Sequence, residues 1–124
     1  KLTLGGEQSP LIYASYHTRR STMATTPEAK VKKVVTNYLK KMGAYYFYPV
    51  TGGFGRSGVP DIVACYKGMF LGIECKAGKG KTTALQQKNL DDIKTAGGFD
   101  WVVNETNMHQ TETQIKYWAS TQQE

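Results

Sequence analysis

The chain has 124 residues and a formal net charge of +6. Apolar residues make up 40% of it and aromatic residues 11%, which is typical of a globular protein with a single modest core. No apolar run approaches the roughly 20 residues of a membrane span, and no charged segment followed by an apolar segment marks secretion. These properties argue against a membrane protein and against a secreted one, and the excess of positive charge favours a polyanionic partner.

The first 22 residues show no clear periodicity, although residues 11–18, LIYASYHT, are compatible with a strand. Soon after Met23 the sequence opens a well-marked helix. We therefore expect residues 1–22 to be a peripheral N-terminal extension or leader, and residues 23–124 to form a single domain.

The first predicted helix begins at Pro27. Thr26 is a good N-cap, Pro27 suits the first helical position, and Gly43 is placed to end the helix. Apolar residues at helical spacing form one stripe: Val31, Val34, Val35, Tyr38, Leu39 and Met42. One turn earlier the same stripe reaches Glu28, which we expect to face the core and to require a metal or a lysine as its partner. Alternatively, Glu28 only complements the helix dipole.

A strand and a glycine-rich loop follow this helix. Residues 44–50, AYYFYPV, are predicted to form the strand, and residues 51–60, TGGFGRSGVP, the loop. The loop contains GFGRSG, which has the spacing of a dinucleotide-binding motif but leads into a strand, whereas that motif must open a helix. The GKT at residues 80–82 ends like a P-loop, but the first glycine of that motif would fall at Cys75. We reject both nucleotide-site interpretations.

Two short apolar runs flank Lys67 and Gly68, and this pattern predicts a β-hairpin with a tight two-residue turn. In that register Asp61 lies opposite Glu74, and Lys76 lies on the same face because side chains alternate along a strand. Two carboxylates so close repel each other, so one of them loses its charge unless a cation lies between them. The alternative is a looser turn whose acids merely occupy exposed strand ends.

The two cysteines, Cys65 and Cys75, lie in the two strands of this hairpin. The register places them on opposite faces and roughly 17 Å apart, at about 3.3 Å per residue. A disulfide requires Cα atoms within about 7 Å, so we expect two reduced thiols. Reduced cysteines indicate a cytoplasmic protein, which includes a phage-encoded protein in the host cytoplasm.

A second helix is predicted from about Thr83 to Ala96, after the basic loop AGKGKTT. Gln86 shares a helix face with Leu90 and Ile93, so its side chain is expected to point inward. Alternatively, Thr83 and Gln86 form a capping box, which satisfies backbone donors and has no catalytic role.

The segment FDWVV at residues 99–103 is predicted to be the last strand, and the polar tail to contain a short helix around residues 115–119. The order of the main elements is α-β-β-β-α-β. This order predicts an α/β fold with a small mixed β-sheet flanked by helices.

The predicted cluster of Asp61, Glu74 and Lys76 suits phosphodiester hydrolysis. Mg²⁺ binds through a few carboxylate oxygens and keeps several waters. An ion between Asp61 and Glu74 could polarise a phosphodiester and lower the pKa of an attacking water. Lys76 could orient that water or stabilise the negative charge that develops during attack.

The residues that carry this chemistry resemble a known family. GVPD ends at Asp61, and IECK carries Glu74 thirteen positions later, as in the PD-(D/E)XK nucleases. Within that superfamily, the segment from Pro27 to Val103 resembles a compact, stand-alone VRR-NUC (virus-type replication-repair nuclease) domain. The shared pattern includes a glutamate that opens the first helix, a glycine-rich loop before PD, the EXK strand and a glutamine in the second helix.

This resemblance implies a restriction-endonuclease-like fold and a set of site residues. Asp61 and Glu74 would hold Mg²⁺ or Mn²⁺, and Lys76 would be the catalytic lysine. Glu28 would be an auxiliary acid and further metal ligand, and Gln86 would support the site. Family members cleave DNA phosphodiesters, and small stand-alone members are similar to Holliday-junction resolvases and act as homodimers.

Basic residues around the predicted site are candidates for holding DNA phosphates rather than bases. They are Arg56 in the glycine-rich loop, Lys79 and Lys81 after the hairpin, and Lys30, Lys32 and Lys33 on the first helix. The sequence thus predicts a metal-dependent, structure-selective DNA endonuclease that acts as a homodimer on branched DNA. The alternatives are a nicking or flap nuclease within a phage or restriction complex, and a DNA-binding module without catalysis.

Overall fold

The computed structural model describes residues 25–50 and 55–122, so the predicted extension at residues 1–22 lies outside the described part of the chain. The elements are α1 (Pro27–Met42), β1 (Tyr45–Phe47), β2 (Ile62–Tyr66), β3 (Met69–Cys75), α2 (Ala84–Thr95), β4 (Phe99–Val103), a 3₁₀ turn (Met108–Gln110) and α3 (Thr111–Thr121). The predicted order α-β-β-β-α-β is confirmed. Helix α3 is longer than the helix predicted around residues 115–119.

The four strands form one mixed sheet in the order β1-β2-β3-β4. Strands β1, β2 and β3 are antiparallel neighbours, whereas β4 runs parallel to β3. Tyr66 pairs with Met69 across a turn whose two residues, Lys67 and Gly68, have φ of 52° and 82°. Positive φ at both central residues is the signature of the tight hairpin turn that matches strand twist. The predicted hairpin register is confirmed.

Helices cover the two faces of the sheet unequally. On one face, buried strand residues such as Leu71 and Ile73 join a core with Val31 and Val35 of α1 and Ile115 of α3. Because side chains alternate along β3, Gly72 and Glu74 face the other side, where α2 packs. A Cβ at Gly72 would lie 2.4 Å from the Cδ1 of the α2 residue Ile93, so the helix packs directly on this strand position. Helix α2 therefore lies on the same face as the Glu74 side chain.

Both cysteines are unpaired, as predicted: Cys65 is exposed and Cys75 is buried in the core. Burial, together with the nearby Asp61 carboxylate, raises the pKa of the Cys75 thiol to about 12. Such a thiol is a packing group, not a nucleophile. Among residues 25–50 and 55–122, no helix combines the length and the hydropathy that crossing a membrane demands.

Candidate active site

The hairpin brings Asp61, Glu74 and Lys76 together at the open end of β2 and β3. The Glu74 side chain is only 2% exposed, and its Oε2 lies 3.3 Å from the Lys76 Nζ. The half-buried Asp61 directly precedes β2, and its Oδ2 accepts a hydrogen bond of 2.9 Å from the Cys75 backbone N–H. The two acids and the lysine thus lie side by side, whereas a looser turn would have left the acids on exposed strand ends.

The Glu74 carboxylate is in an unfavourable environment. Burial raises its pKa to about 7, the Asp61 charge adds to the rise, and Lys76 opposes it. The second oxygen, Oε1, is buried and has no hydrogen-bond partner. A buried oxygen without a partner is costly, so the fold carries an acceptor whose ligand remains to be supplied.

The donor set at this point fits a hard divalent cation. Two neighbouring carboxylates offer the oxygen ligands that Mg²⁺ prefers, and one of them has a free buried oxygen. Within the described ranges there is no group of three or more His, Cys, Asp or Glu residues placed to hold a metal ion. Mg²⁺ in phosphate chemistry commonly takes several of its ligands from water and substrate, so two carboxylates are compatible with its binding.

Helix α2 holds the lysine of the cluster in place. The Oε1 atom of Gln86 accepts hydrogen bonds from the Lys76 Nζ and from the Thr83 backbone N–H, both at 2.9 Å. In return, the Gln86 backbone N–H donates to the Thr83 Oγ1 at 3.1 Å. The capping box and the inward contact were alternatives in the sequence, and the structure contains both. The Gln86 Oε1 therefore takes part in the capping box of α2 and also orients Lys76.

Glu28 differs from the prediction. We expected its side chain to face the core, but Glu28 is exposed, as is the whole first turn of α1. The apolar stripe meets the sheet only from Val31 onward, so projecting it back by one turn leads past the edge of the core. In the described part of the chain, Glu28 makes no hydrogen bond or ion pair, and a role as auxiliary metal ligand stays a prediction.

Asn89 is a site residue that the sequence analysis missed. It is 6% exposed, and its Nδ2 donates to the carbonyl oxygens of Ser57 at 3.2 Å and Leu85 at 2.9 Å. The adjacent Gly58 has φ of +77°, and a Cβ at that position would lie 2.7 Å from the Leu85 Cγ. Asn89 thus fixes the loop that leads into Asp61. A signal was present, since Asn89 lies one turn after Gln86 on the predicted inward side.

Residues 29–99 match the sequence profile of the archaeal Holliday junction resolvase (Hjc) family. This span is 71 of the 124 residues, which is more than half of the chain. The chain belongs to the Hjc family. The matched span includes Asp61, Glu74, Lys76 and Gln86, and it begins one residue after Glu28.

Solved structures extend this assignment to the fold. A "VRR_NUC domain" has a TM-score of 0.60 and 21% sequence identity, over 74% of this chain and 97% of that one. A "VRR_NUC domain protein" has a TM-score of 0.55 and 18% identity, over 77% and 90% of the two chains. Comparison with curated proteins gives no significant match. The predicted resemblance to a VRR-NUC domain with a restriction-endonuclease-like α/β fold is confirmed, and the chain is a nuclease-family protein.

In this Hjc-family chain nearly all of the predicted DNA-binding residues are exposed. Lys79 and Lys81 lie in the loop after Lys76, where the Gly78 N–H donates to the Glu105 Oε1 at 2.9 Å. Lys30 and Lys33 are exposed on α1, and the exposed Arg56 lies 3.6 Å from the Asp92 carboxylate. Lys32 differs from its neighbours because it is half-buried.

A cavity of about 240 Å³ opens beside Asp61 in this Hjc-family site. Asp61 and Gln86 form part of its wall, and Lys32 and Tyr48 form another part. Pro49 and the loop residues 58–60 complete its described lining. The cavity therefore provides space for a substrate group next to the carboxylate pair.

Proposed function

We propose that this chain is a divalent-metal-dependent DNA endonuclease that cuts branched DNA in the manner of a Holliday-junction resolvase, as a homodimer. One observation carries the proposal. The buried Glu74 has an oxygen without a partner, beside the Asp61 carboxylate and the Lys76 ammonium. That combination is costly for a structural protein and suits metal-assisted phosphodiester hydrolysis.

Each site residue has its own role in the proposed phosphodiester hydrolysis. Asp61 and Glu74 would hold Mg²⁺ or Mn²⁺, which supplies a Lewis acid and lowers the pKa of the attacking water. Glu28 would act as an auxiliary acid from its exposed position. Held by Glu74 and Gln86, the Lys76 ammonium would keep its protons and donate a hydrogen bond through its third N–H to the attacking water or to a phosphoryl oxygen. As the water oxygen forms its bond to phosphorus, this donor stabilises the developing negative charge while the bond to the leaving oxygen breaks.

DNA would be held mainly through its backbone. Arg56, Lys79 and Lys81, together with Lys30 and Lys33, would supply exposed positive charge for DNA phosphates. Such side chains bind phosphates with little regard for sequence, so the shape of branched DNA, not its sequence, would select the substrate.

The decisive experiment uses a labelled four-way junction with Mg²⁺. We expect the wild type to cleave it, and Glu74→Ala and Asp61→Ala each to abolish cleavage while duplex binding largely survives. Asp91→Asn, which removes an exposed acid outside the site, is the matched control and should cleave normally. Cleavage by both site variants at the wild-type rate would refute the proposal.

Two further measurements address the finer parts of the proposal. Parallel assays on flaps and linear duplex distinguish a junction resolvase from a flap or nicking nuclease. Light scattering after gel filtration measures the mass of the native protein, and a dimer is expected. A monomer that still cuts junctions symmetrically would contradict the dimeric part alone.

A further inference from the structure

Lys32 and Tyr48, which line the cavity beside Asp61, form what we name the Lys32–Tyr48 pocket. The Lys32 Nζ lies 5.3 Å from the centre of the Tyr48 ring, within the range of a cation–π contact. Tyr48 in turn packs edge-on against Tyr46, with ring centres 6.2 Å apart. These contacts place the Lys32 ammonium against an aromatic ring at the cavity wall.

Lys32 differs from the neighbouring lysines of α1 in burial and in environment. Lys30 and Lys33 are exposed, whereas Lys32 is half-buried. Over residues 25–50 and 55–122, six ion pairs occur and none includes Lys32. A partly buried cation without an anionic partner is unfavourable until an anion arrives.

The cavity determines which anion fits. Its lining is mainly polar, and among the described residues that form it Lys32 is the one cation and Asp61 the one carboxylate. When Asp61 holds a metal ion, its charge no longer repels a phosphate, and Lys32 becomes the nearest free cation on this wall. A nucleobase would gain little from a charged polar lining, whereas a phosphodiester gains a charge-assisted hydrogen bond.

We propose that the Lys32–Tyr48 pocket binds one non-scissile phosphate of the DNA strand, adjacent to the phosphate that is hydrolysed. This inference rests on the proposed nuclease function and goes beyond it by giving the pocket a defined ligand. A contact to a phosphate that does not react is equally strong before and during the reaction. Its loss therefore raises KM and leaves kcat unchanged.

The first test separates Lys32 from the general positive charge. Lys32→Met keeps the aliphatic stem against Tyr48 but removes the charge, and Lys40→Met removes the same charge from an exposed lysine in the last turn of α1 that has no assigned DNA contact. We expect Lys32→Met to raise KM roughly tenfold, the value of one charge-assisted hydrogen bond, with kcat unchanged. Lys40→Met should have a much smaller effect, and Lys32→Arg should restore most of the affinity.

The second test locates the phosphate without relying on catalysis. Fluorescent junctions that carry one neutral methylphosphonate, moved position by position around the cleavage point, are titrated with protein in Ca²⁺. For the wild type, one position next to the scissile phosphate should weaken binding about tenfold. Lys32→Met should bind weakly already and lose nothing more at that position, because the lysine and that phosphate act as a pair. Tyr48→Leu should reproduce part of this loss, and Tyr48→Phe should not.

The outcomes are distinct. If Lys32→Met and Lys40→Met change KM equally, or if no methylphosphonate position loses its effect in Lys32→Met, the pocket is not a phosphate site, although the nuclease proposal stands. A fall in kcat without a rise in KM would assign Lys32 to the chemical step and also overturn the inference. If the wild type neither binds nor cuts DNA, the proposed function fails, and this inference fails with it.

Discussion

The Glu74 side chain is where folding and function conflict most clearly. A carboxyl that is 2% exposed, with one oxygen unpaired, destabilises the folded chain whenever it is ionised. Burial and the Asp61 charge raise its pKa from 4.5 to about 7, so at neutral pH the metal-free site holds part of a proton. A core selected for stability alone would place an apolar residue here. The retained acid therefore points to a bound cation that offsets the cost.

This shift predicts a specific dependence of stability on pH. In EDTA, the protonated form of Glu74 stabilises the fold fully below pH 4.5, and this contribution is lost as the pH rises through about 7. Glu74→Gln has no such loss, so it should be more stable than the wild type at pH 8, by on the order of 3 kcal/mol at most. The difference should shrink toward pH 4.5. Urea unfolding at pH 5, 6.5 and 8 measures it.

Mg²⁺ provides the control for that experiment. It should raise the unfolding free energy of the wild type at pH 8 and have little effect on Glu74→Gln, because only the ionised pair of acids attracts the ion. A constant gap between the two proteins at all three pH values would show that Glu74 does not titrate in this range.

At the scale of secondary structure, most elements could be predicted because each has a local signal. Thr26 and Gly43 bound α1, and the Lys67-Gly68 turn fixes the hairpin register and thereby brings Asp61 to Glu74. Helix α3 was underestimated because its N-cap residue, Gln110, makes no side-chain capping bond and therefore leaves no start signal. The prediction that Glu28 faces the core was wrong, because helical periodicity gives the direction of a side chain but not the point along the helix where packing ends.

A prediction at the start of α2 separates the capping role of Gln86 from its role in orienting Lys76. Gln86→Ala removes the oxygen that accepts from both Thr83 and Lys76, so it should cost about 1 kcal/mol of stability and roughly 10²-fold in kcat. Thr83→Ala removes the capping hydroxyl but keeps the backbone N–H. It should cost a similar stability and leave kcat nearly unchanged. Thermal unfolding and single-turnover cleavage measure the two effects, and an equal fall in kcat would contradict the separation.

At the scale of the whole molecule, both the net charge and the topology of the sheet bear on how DNA would be bound. The sheet places both acids on the face covered by α2, while α1 and α3 build the core on the opposite face. The net charge of +6 includes these acids, so the rest of the protein is more basic than the total suggests. The basic residues proposed to contact DNA come from separate parts of the sequence: α1, the loop before β2 and the loop after β3. Composition reveals the excess charge, but the fold decides where it acts.

Salt dependence tests whether this arrangement, and not the net charge, binds DNA. Each phosphate contact that is lost lowers the slope of log affinity against log salt by about 0.9. The double variant Lys79→Met/Lys81→Met should therefore reduce the slope by about 1.8. The matched double variant Lys41→Met/Lys116→Met removes the same charge from lysines that pair with Glu112 on the other side of the molecule. It should leave the slope nearly unchanged in anisotropy titrations between 50 and about 200 mM salt. Equal slopes for the two double variants would mean that DNA is attracted by the total charge. Lys79 and Lys81 would then lose their assigned role as phosphate contacts.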